Sequence, residues 1–311
     1  MKPFISIIIP TYNHAPFLTK ALRSVLDQEY RDFEVIVVDN HSSDNTDEVV
    51  LSFKDDRVSL LKIHNEGIIA ASRNMGISYA RGSWIAFLDS DDCWYKDRIQ
   101  CVIKELYCNK FDVISTDEVV RNHCLDTVKT LRYGPYKKNY YRTMLLYGNR
   151  LSTSATIVKR SFLIENCILF NESKKYITVE DYDLWMQLAK CGAKFLFIRK
   201  LGGEYNIHGG NSSLKSALHN KNLRLLLADH IERLEVGSRE RRLLYKRVDL
   251  YLLIRELRQS FFKNASFVYF LKIFSIVSSN PINSILIIYT NMMKKINIVI
   301  SLIKSWHVFL R

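Results

Sequence analysis

Through the first hundred residues, short stretches that are apolar at nearly every position recur, and each ends on a polar or turn-forming residue. Ile5-Ser6-Ile7-Ile8-Ile9 stops at Pro10, Val35-Ile36-Val37-Val38 stops at Asp39, Val58 to Leu61 gives way to polar chain, and Ile85 to Leu88 runs into Asp89. Such runs predict strands covered on both faces, as in a parallel sheet. Between them the apolar period changes. Leu18, Ala21, Leu22, Val25 and Leu26 share one helical face, Asp44 to Phe53 predicts a short helix, and Ile69 to Tyr79 a longer one closed by Ala80-Arg81-Gly82. A helix from Asp97 to about Leu106, a strand around Val113-Ile114 and a later strand over Thr153 to Val158 continue the series. The alternation predicts an α/β fold: a doubly wound, mostly parallel sheet flanked by helices.

From Leu214 onward the alternation stops and the pattern is helical, so an α/β domain over 1–213 (halves of about 1–115 and 116–213) is expected to precede a helical region over 214–311. Charge sharpens that division. The chain of 311 residues carries a net charge of +13, yet residues 1–210 hold 28 basic and 26 acidic side chains, against 17 and 6 in residues 211–311. Such asymmetry points to an anionic partner for the tail. Leu244, Val248, Tyr251 and Ile254 mark a helical face, and Phe261-Phe262-Lys263 and Phe267 to Val277 are aromatic and apolar. After Asn280-Pro281, Ile282, Leu286, Tyr289, Met293, Ile296, Ile300 and Ile303 are spaced four-three-four-three. No apolar stretch reaches the roughly 18–20 residues that span a bilayer. Two readings stand: an interfacial anchor on anionic lipid, or a helix–helix seam within the chain or between two copies. Nucleic acid fits poorly, because no recognised binding motif occurs. Six cysteines without paired or zinc spacing read as reduced thiols. With a strand beginning at Ile5 and no signal-peptide pattern, the expected location is cytoplasmic, peripheral at the inner face of the membrane.

The densest candidate chemistry is Asp89-Ser90-Asp91-Asp92, directly after an apolar strand. Ligands in open α/β sheets bind beyond the carboxyl ends of the strands. Three carboxylates there repel one another unless a cation sits among them, and hard oxygen donors suit Mg²⁺ or Mn²⁺. The same residues also suit a solvated turn that caps the next helix. Neither GxGxxG nor GxxxxGK[ST] occurs, which points away from nicotinamide and P-loop enzymes. Polar residues instead follow three strands (Thr11 and Asn13, Asp39, then Asp89 and Asp91), and their ends can line one crevice.

Four segments in register carry a resemblance: Pro10-Thr11-Tyr12-Asn13; Val38-Asp39-Asn40-His41-Ser42-Ser43-Asp44; Asn65-Glu66-Gly67 with Ser72-Arg73-Asn74-Met75-Gly76; and Phe87-Leu88-Asp89-Ser90-Asp91-Asp92. Together they resemble the family 2 glycosyltransferases of the GT-A fold. The resemblance implies that Pro10, Thr11, Tyr12, Asn13 and Asp39 hold a uridine. It puts Asn65, Gly67, Arg73, Asn74 and Ser90 near the nucleotide sugar. Asp89 and Asp91 would form the DxD motif, the first facing ribose or a water on the metal, the second ligating the ion.

Val179-Glu180-Asp181-Tyr182-Asp183-Leu184-Trp185 opens a further helix, with Leu184, Trp185 and Leu188 on its apolar face and its end near Gly192. First-turn acids favour a helix dipole, which accounts for one of them more readily than for three. In the family an ED motif lies here. By resemblance Asp181 is the base that deprotonates the acceptor hydroxyl, Glu180 orients acceptor or base, and a divalent metal, Mn²⁺ or Mg²⁺, stabilises the departing diphosphate. Tyr133 to Asn149 is expected to be a loop over the acceptor, and His208, in Tyr205-Asn206-Ile207-His208-Gly209-Gly210, to ligate the metal or meet the diphosphate. No QxxRW motif is present. The implied activity is inverting transfer of one sugar from a nucleotide donor, UDP-linked, to a lipid-linked or surface-polysaccharide acceptor. A polyprenyl-phosphate glycosyl transferase and a non-catalytic nucleotide-sugar-binding membrane scaffold are the alternatives.

Overall fold

The computed structural model describes residues 3–209 and 216–260. The first hundred residues alternate as their pattern predicts: β1 (Ile5–Thr11), α1 (Ala15–Leu26), β2 (Phe33–Asp39), α2 (Thr46–Ser52), β3 (Val58–Lys62), α3 (Ile69–Tyr79), β4 (Trp84–Phe87), a two-residue β5 (Cys93–Trp94) and α4 (Arg98–Cys108). There follow β6 (Val113–Asn122), β7 (Thr127–Leu131), α5 (Tyr140–Tyr147), β8 (Thr156–Lys159), α6 (Arg160–Glu165), α7 (Glu180–Lys190) and β9 (Phe195–Ile207). The last described helices are α8 (Ser216–Glu232) and α9 (Ser238–Ser260).

The strands form one sheet in the order β3-β2-β1-β4-β8-β6-β9-β5, with β7 paired to β6. The β3-β2-β1-β4 part is parallel, and β8 runs antiparallel to both β4 and β6. The chain leaves β1 for β2 on one side and returns to β4 on the other. That reversal opens a crevice at the carboxyl ends of the three strands. Thr11 pairs with Asp39 at its rim, and the Leu88 N–H donates to the Ile8 carbonyl one residue before Asp89.

Alternation along β1 sets the two covered faces. Ile5, Ile7 and Ile9 join Val35, Val37, Ala86 and Leu88 in a core with Leu18, Leu22 and Val25 of α1 and with Ile99, Val102 and Leu106 of α4. Each such side chain, fully buried, contributes about 1.5–3 kcal/mol. Ile8 faces the other way, where α3 comes so close that a Cβ on Gly76 would lie 2.5 Å from Ile8 Cγ2.

Two expectations change. The stretch read as an acceptor loop contains α5, whose Tyr140, Tyr141, Met144 and Leu145 are buried and whose first turn is capped by Asn139 Oδ1 accepting the Arg142 N–H at 3.0 Å. Its tyrosines disguise an amphipathic face. The second is β9, a strand that no run predicts, because Arg199-Lys200 and Gly202-Gly203 interrupt it and its pairing with β6 shifts register around Asp117. The chain divides into two compact units, residues 1–226 and 227–311. Leu244 and Val248 are buried in α9, whereas the aromatic stretch and the closing seam of the tail lie outside the described residues. Among the described residues no helix is long and apolar enough to cross a membrane.

The Gly82 N–H donates to Ser6 Oγ at 2.8 Å, and a Cβ at Gly82 would stand 2.6 Å from the Ser6 backbone nitrogen and 2.8 Å from the Ile5 carbonyl carbon. Backbone cannot yield there. Gly82→Ala is expected to cost about 1–3 kcal/mol in urea denaturation. Gly209→Ala, with nothing within 4 Å of the added carbon, should stay within about 0.5 kcal/mol; equal stability of the two variants would contradict this packing.

Candidate active site

At the end of β1, Pro10 and Thr11 are buried, and Thr11 Oγ1 has no hydrogen-bond partner among the described residues. Tyr12 is 55% exposed. Asn13, in the left-handed region at φ 50°, ties this loop to the next: Oδ1 accepts the Ser43 N–H at 2.7 Å, and its own N–H donates to Ser42 Oγ at 2.8 Å. Asp39 is fully buried. Its carboxylate accepts from the Ser42 N–H (3.0 Å), the Ser42 hydroxyl and Lys62 Nζ (2.7 Å). Beside it the exposed His41 and His64 rings stack with centroids 3.7 Å apart. Asn65 folds its own turn, accepting the Gly67 N–H and donating to Ser72 Oγ, each at 2.8 Å. Gly67 sits at φ 79°, which glycine adopts without the Cβ penalty. Asn74 is committed to the chain at Phe170, exchanging hydrogen bonds with its carbonyl (2.8 Å) and N–H (2.9 Å), and also reaches Glu172.

Arg73 is the centre of the site. Its side chain is 3% exposed and projects from α3 between two acids distant in sequence. Nη2 donates to Asp89 Oδ1 at 2.7 Å, and Nη1 donates to Glu180 Oε1 at 2.8 Å. The Phe170 ring lies 5.3 Å beneath the guanidinium. Burial opposes the charge, but Asp89 and Glu180 outweigh it and hold Arg73 more firmly protonated than usual.

The acids after β4 go to separate protein partners. Asp89 faces Arg73, and Asp91 Oδ2 lies 3.0 Å from His208 Nε2. Asp92 is buried, accepting the Ser154 hydroxyl at 2.6 Å and the Asn206 N–H at 2.8 Å. Among the described residues no group of three or more His, Cys, Asp or Glu side chains is arranged to hold a metal. This corrects the three-carboxylate expectation: a serine hydroxyl and a backbone amide take the third acid. Burial and the Asp89 charge raise the Asp91 carboxyl above its ordinary range, with the His208 contact pulling the other way. Phe17 stacks on His208 with centroids 4.6 Å apart, and His14 Nδ1 lies 3.0 Å from the Ser90 hydroxyl. As a donor set, one carboxylate and one imidazole fit a divalent ion whose remaining positions belong to phosphate oxygens and water.

At the start of α7, Asp183 is buried and accepts Gln187 Nε2 at 2.6 Å. Asp181 is half-buried. Its Oδ1 accepts the Tyr182 N–H at 2.7 Å and its Oδ2 accepts Asn149 Nδ2 at 3.2 Å. Burial, reinforced by the Glu180 charge and partly offset by Arg73, pushes its carboxyl up to about 7. Just before it Thr178 stands at φ 73°, a strained setting for a β-branched residue. His219 Nδ1 lies 3.1 Å from the Thr178 carbonyl oxygen, and Asn222 Nδ2 donates to the Ile177 carbonyl at 2.9 Å.

The site thus joins Arg73, Asp89, Glu180 and Asp181 on one side and Asp91 with His208 on the other. Asn74 turns away to the 170 loop. Asn149, Ser154, His14, Asn206 and the α8 pair His219 and Asn222 went unread in the sequence, because each acts through a partner remote along the chain.

Comparison with known proteins gives the family and the fold. The model of glycosyl transferase family 2 matches residues 6–165. The chain is 32% identical over 187 residues (60% of its length, 70% of the relative's) to WfgD of Escherichia coli, a UDP-Glc:alpha-D-GlcNAc-diphosphoundecaprenol beta-1,3-glucosyltransferase. By fold it is similar to S. aureus TarS 1-349 in complex with UDP-GlcNAc, at a TM-score of 0.64 and 18% identity, covering 93% of this chain and 85% of that one. It is also similar to the mannosyltransferase PcManGT of Pyrobaculum calidifontis in complex with GDP-Man and Mn²⁺, at a TM-score of 0.60 and 16% identity, covering 95% and 81%. With the family's model running from β1 to the end of α6, through the crevice and its acidic turn, the chain belongs to glycosyl transferase family 2.

Proposed function

We propose that the protein transfers one sugar, with inversion, from a UDP-sugar to a lipid-linked or surface-polysaccharide acceptor. The observation that carries this reading is the Arg73 bridge, which holds the acid turn after β4 and the first turn of α7 within one guanidinium's span. The glucosyltransferase relative and the UDP-GlcNAc complex of TarS support a UDP donor. In this reading the base lies across the exposed Tyr12 ring, and the diphosphate lies toward Asp91 and His208. Those two residues would hold the divalent ion, which supplies Lewis-acid stabilisation of the leaving diphosphate.

Asp181 removes the proton from the acceptor hydroxyl. The freed oxygen pair forms the new bond to the anomeric carbon as the carbon–oxygen bond to the diphosphate breaks from the opposite face. The departing diphosphate keeps that electron pair, and the proton leaves Asp181 for solvent. A carboxyl raised to about 7 is a stronger base than an ordinary aspartate and is still ionised above neutrality. Glu180, tied to Arg73, steadies the base and does not receive the proton.

In a donor panel with Mn²⁺, the protein should release UDP from one UDP-sugar, with loss of release on chelation and in Asp91→Ala; no release from any donor would favour a scaffold. Asp181→Asn should lower kcat by about 10²–10⁴-fold, and retained turnover would remove Asp181 as base. Only the ionised carboxylate accepts a proton, so kcat/KM should rise with pH and reach half its plateau near 7; a rising limb centred at an ordinary aspartate's value of about 4 would contradict this. The excess of basic residues in 211–311 supports contact with an anionic membrane surface. Flotation with phosphatidylglycerol vesicles should recover the full chain and lose it when residues 257–311 are removed; equal recovery would exclude that role.

A further inference from the structure

Asp181 is fixed from two directions, and only one has its origin in α7. The backbone before it is locked by the left-handed Thr178, whose carbonyl faces His219 while Asn222 holds the carbonyl of Ile177. That sets where the Cα lies. Rotation of the side chain is a separate matter. Oδ1 is taken by the Tyr182 N–H, so the orientation of the carboxylate depends on what meets Oδ2. That group is the Asn149 amide, 3.2 Å away and 32 residues earlier in the chain.

Asn149 is itself held. Its Oδ1 accepts the Leu151 N–H at 3.1 Å, which leaves the NH₂ end to face Asp181. The preceding Gly148, at φ 87° and ψ 179°, occupies a region essentially reserved for glycine and turns the chain out of α5 at this point. Five residues on, Ser154 Oγ donates to Asp92 at 2.6 Å and accepts the Asp89 N–H at 3.1 Å. One short segment therefore touches both the acid turn after β4 and the acid at the head of α7.

We propose that Asn149 is a positioning residue for Asp181, aiming its carboxylate at the acceptor hydroxyl. The inference rests on the reading of Asp181 as the base. An amide donor on Oδ2 favours the ionised carboxylate, and the other charges that act on it are Glu180 on the same helix, Arg73 from α3 and Asp89 after β4. Replacing that donor with a second carboxylate reverses the sign of its effect.

The test compares Asn149→Ala, Asn149→Asp and Asp181→Asn with the unaltered protein. UDP release from the donor that the panel selects, with water as acceptor, is followed between about pH 5 and 9, and UDP affinity is measured by calorimetry. Asn149→Ala should lower kcat by about 10- to 100-fold with UDP affinity unchanged. Asn149→Asp should move the rising limb of kcat/KM upward by about one pH unit or more, since two adjacent carboxylates resist joint ionisation. A ¹³C titration of the aspartate carboxyls, with Asp181 identified by its missing signal in Asp181→Asn, reads the same shift without turnover. A limb, a titration and a kcat unchanged in both Asn149 variants, with Asp181→Asn inactive, would overturn this inference alone. Turnover retained in Asp181→Asn would overturn the base assignment and the inference together.

Discussion

A guanidinium with almost no exposure, bonded to one carboxylate 16 residues away and to another 107 residues away, is the constraint on which the rest of this site depends. Asp89 follows a central parallel strand and Glu180 opens a helix of the second half. Neither element pairs with the other in the sheet, and Arg73 joins them from α3. Breaking such a buried pair leaves an uncompensated charge and typically costs about 3–5 kcal/mol. The net worth of the bridge is smaller, because burying the Arg73 and Glu180 charges is itself expensive and Asp89 stays partly exposed to solvent. What it supplies is placement: the turn after β4 and the first turn of α7 cannot drift apart without stranding a charge.

The same economy governs the remaining acids. Of the three carboxylates after β4, Asp92 is spent on scaffolding, held by Ser154 and the Asn206 amide, and it fixes β9 so that His208 arrives opposite Asp91. At the head of α7, Asp183 serves Gln187 in its own helix. In the proposed reading Asp91 serves the donor side and Asp181 the acceptor side, and the site sorts identical side chains by the partners it gives them.

The sheet's parallel half was legible because each strand is a short run of apolar residues ended by a breaker, and the switch point followed from the order of those runs. β9 escaped because its alternation is broken by Arg199-Lys200 and by the glycines that let β5 approach: a Cβ on Gly203 would lie 2.4 Å from the Cys93 carbonyl oxygen. α5 escaped because Tyr140 and Tyr141 share its buried face with Met144, Leu145 and Leu146, so the apolar period is masked at its start. The motif residues of the site were readable one by one, but not their allegiance. Nothing near Asp92 in the chain announces a serine 62 positions later, and nothing near Asp181 announces Asn149. Spacing reveals which side chains are acidic, while tertiary contact decides what each acid is for.

The central claim is that the two acidic turns joined through Arg73 act on a single sugar. A crystal structure of the protein with an intact UDP-sugar and Mn²⁺ tests it most directly. The account predicts the anomeric carbon between the Asp91–His208 pair and Asp181, with the face opposite the diphosphate turned toward the Asp181 carboxylate and the Arg73 bridge unbroken. A sugar bound with that face turned away from Asp181, or a nucleotide seated outside the crevice at the ends of β1, β2 and β4, would contradict it.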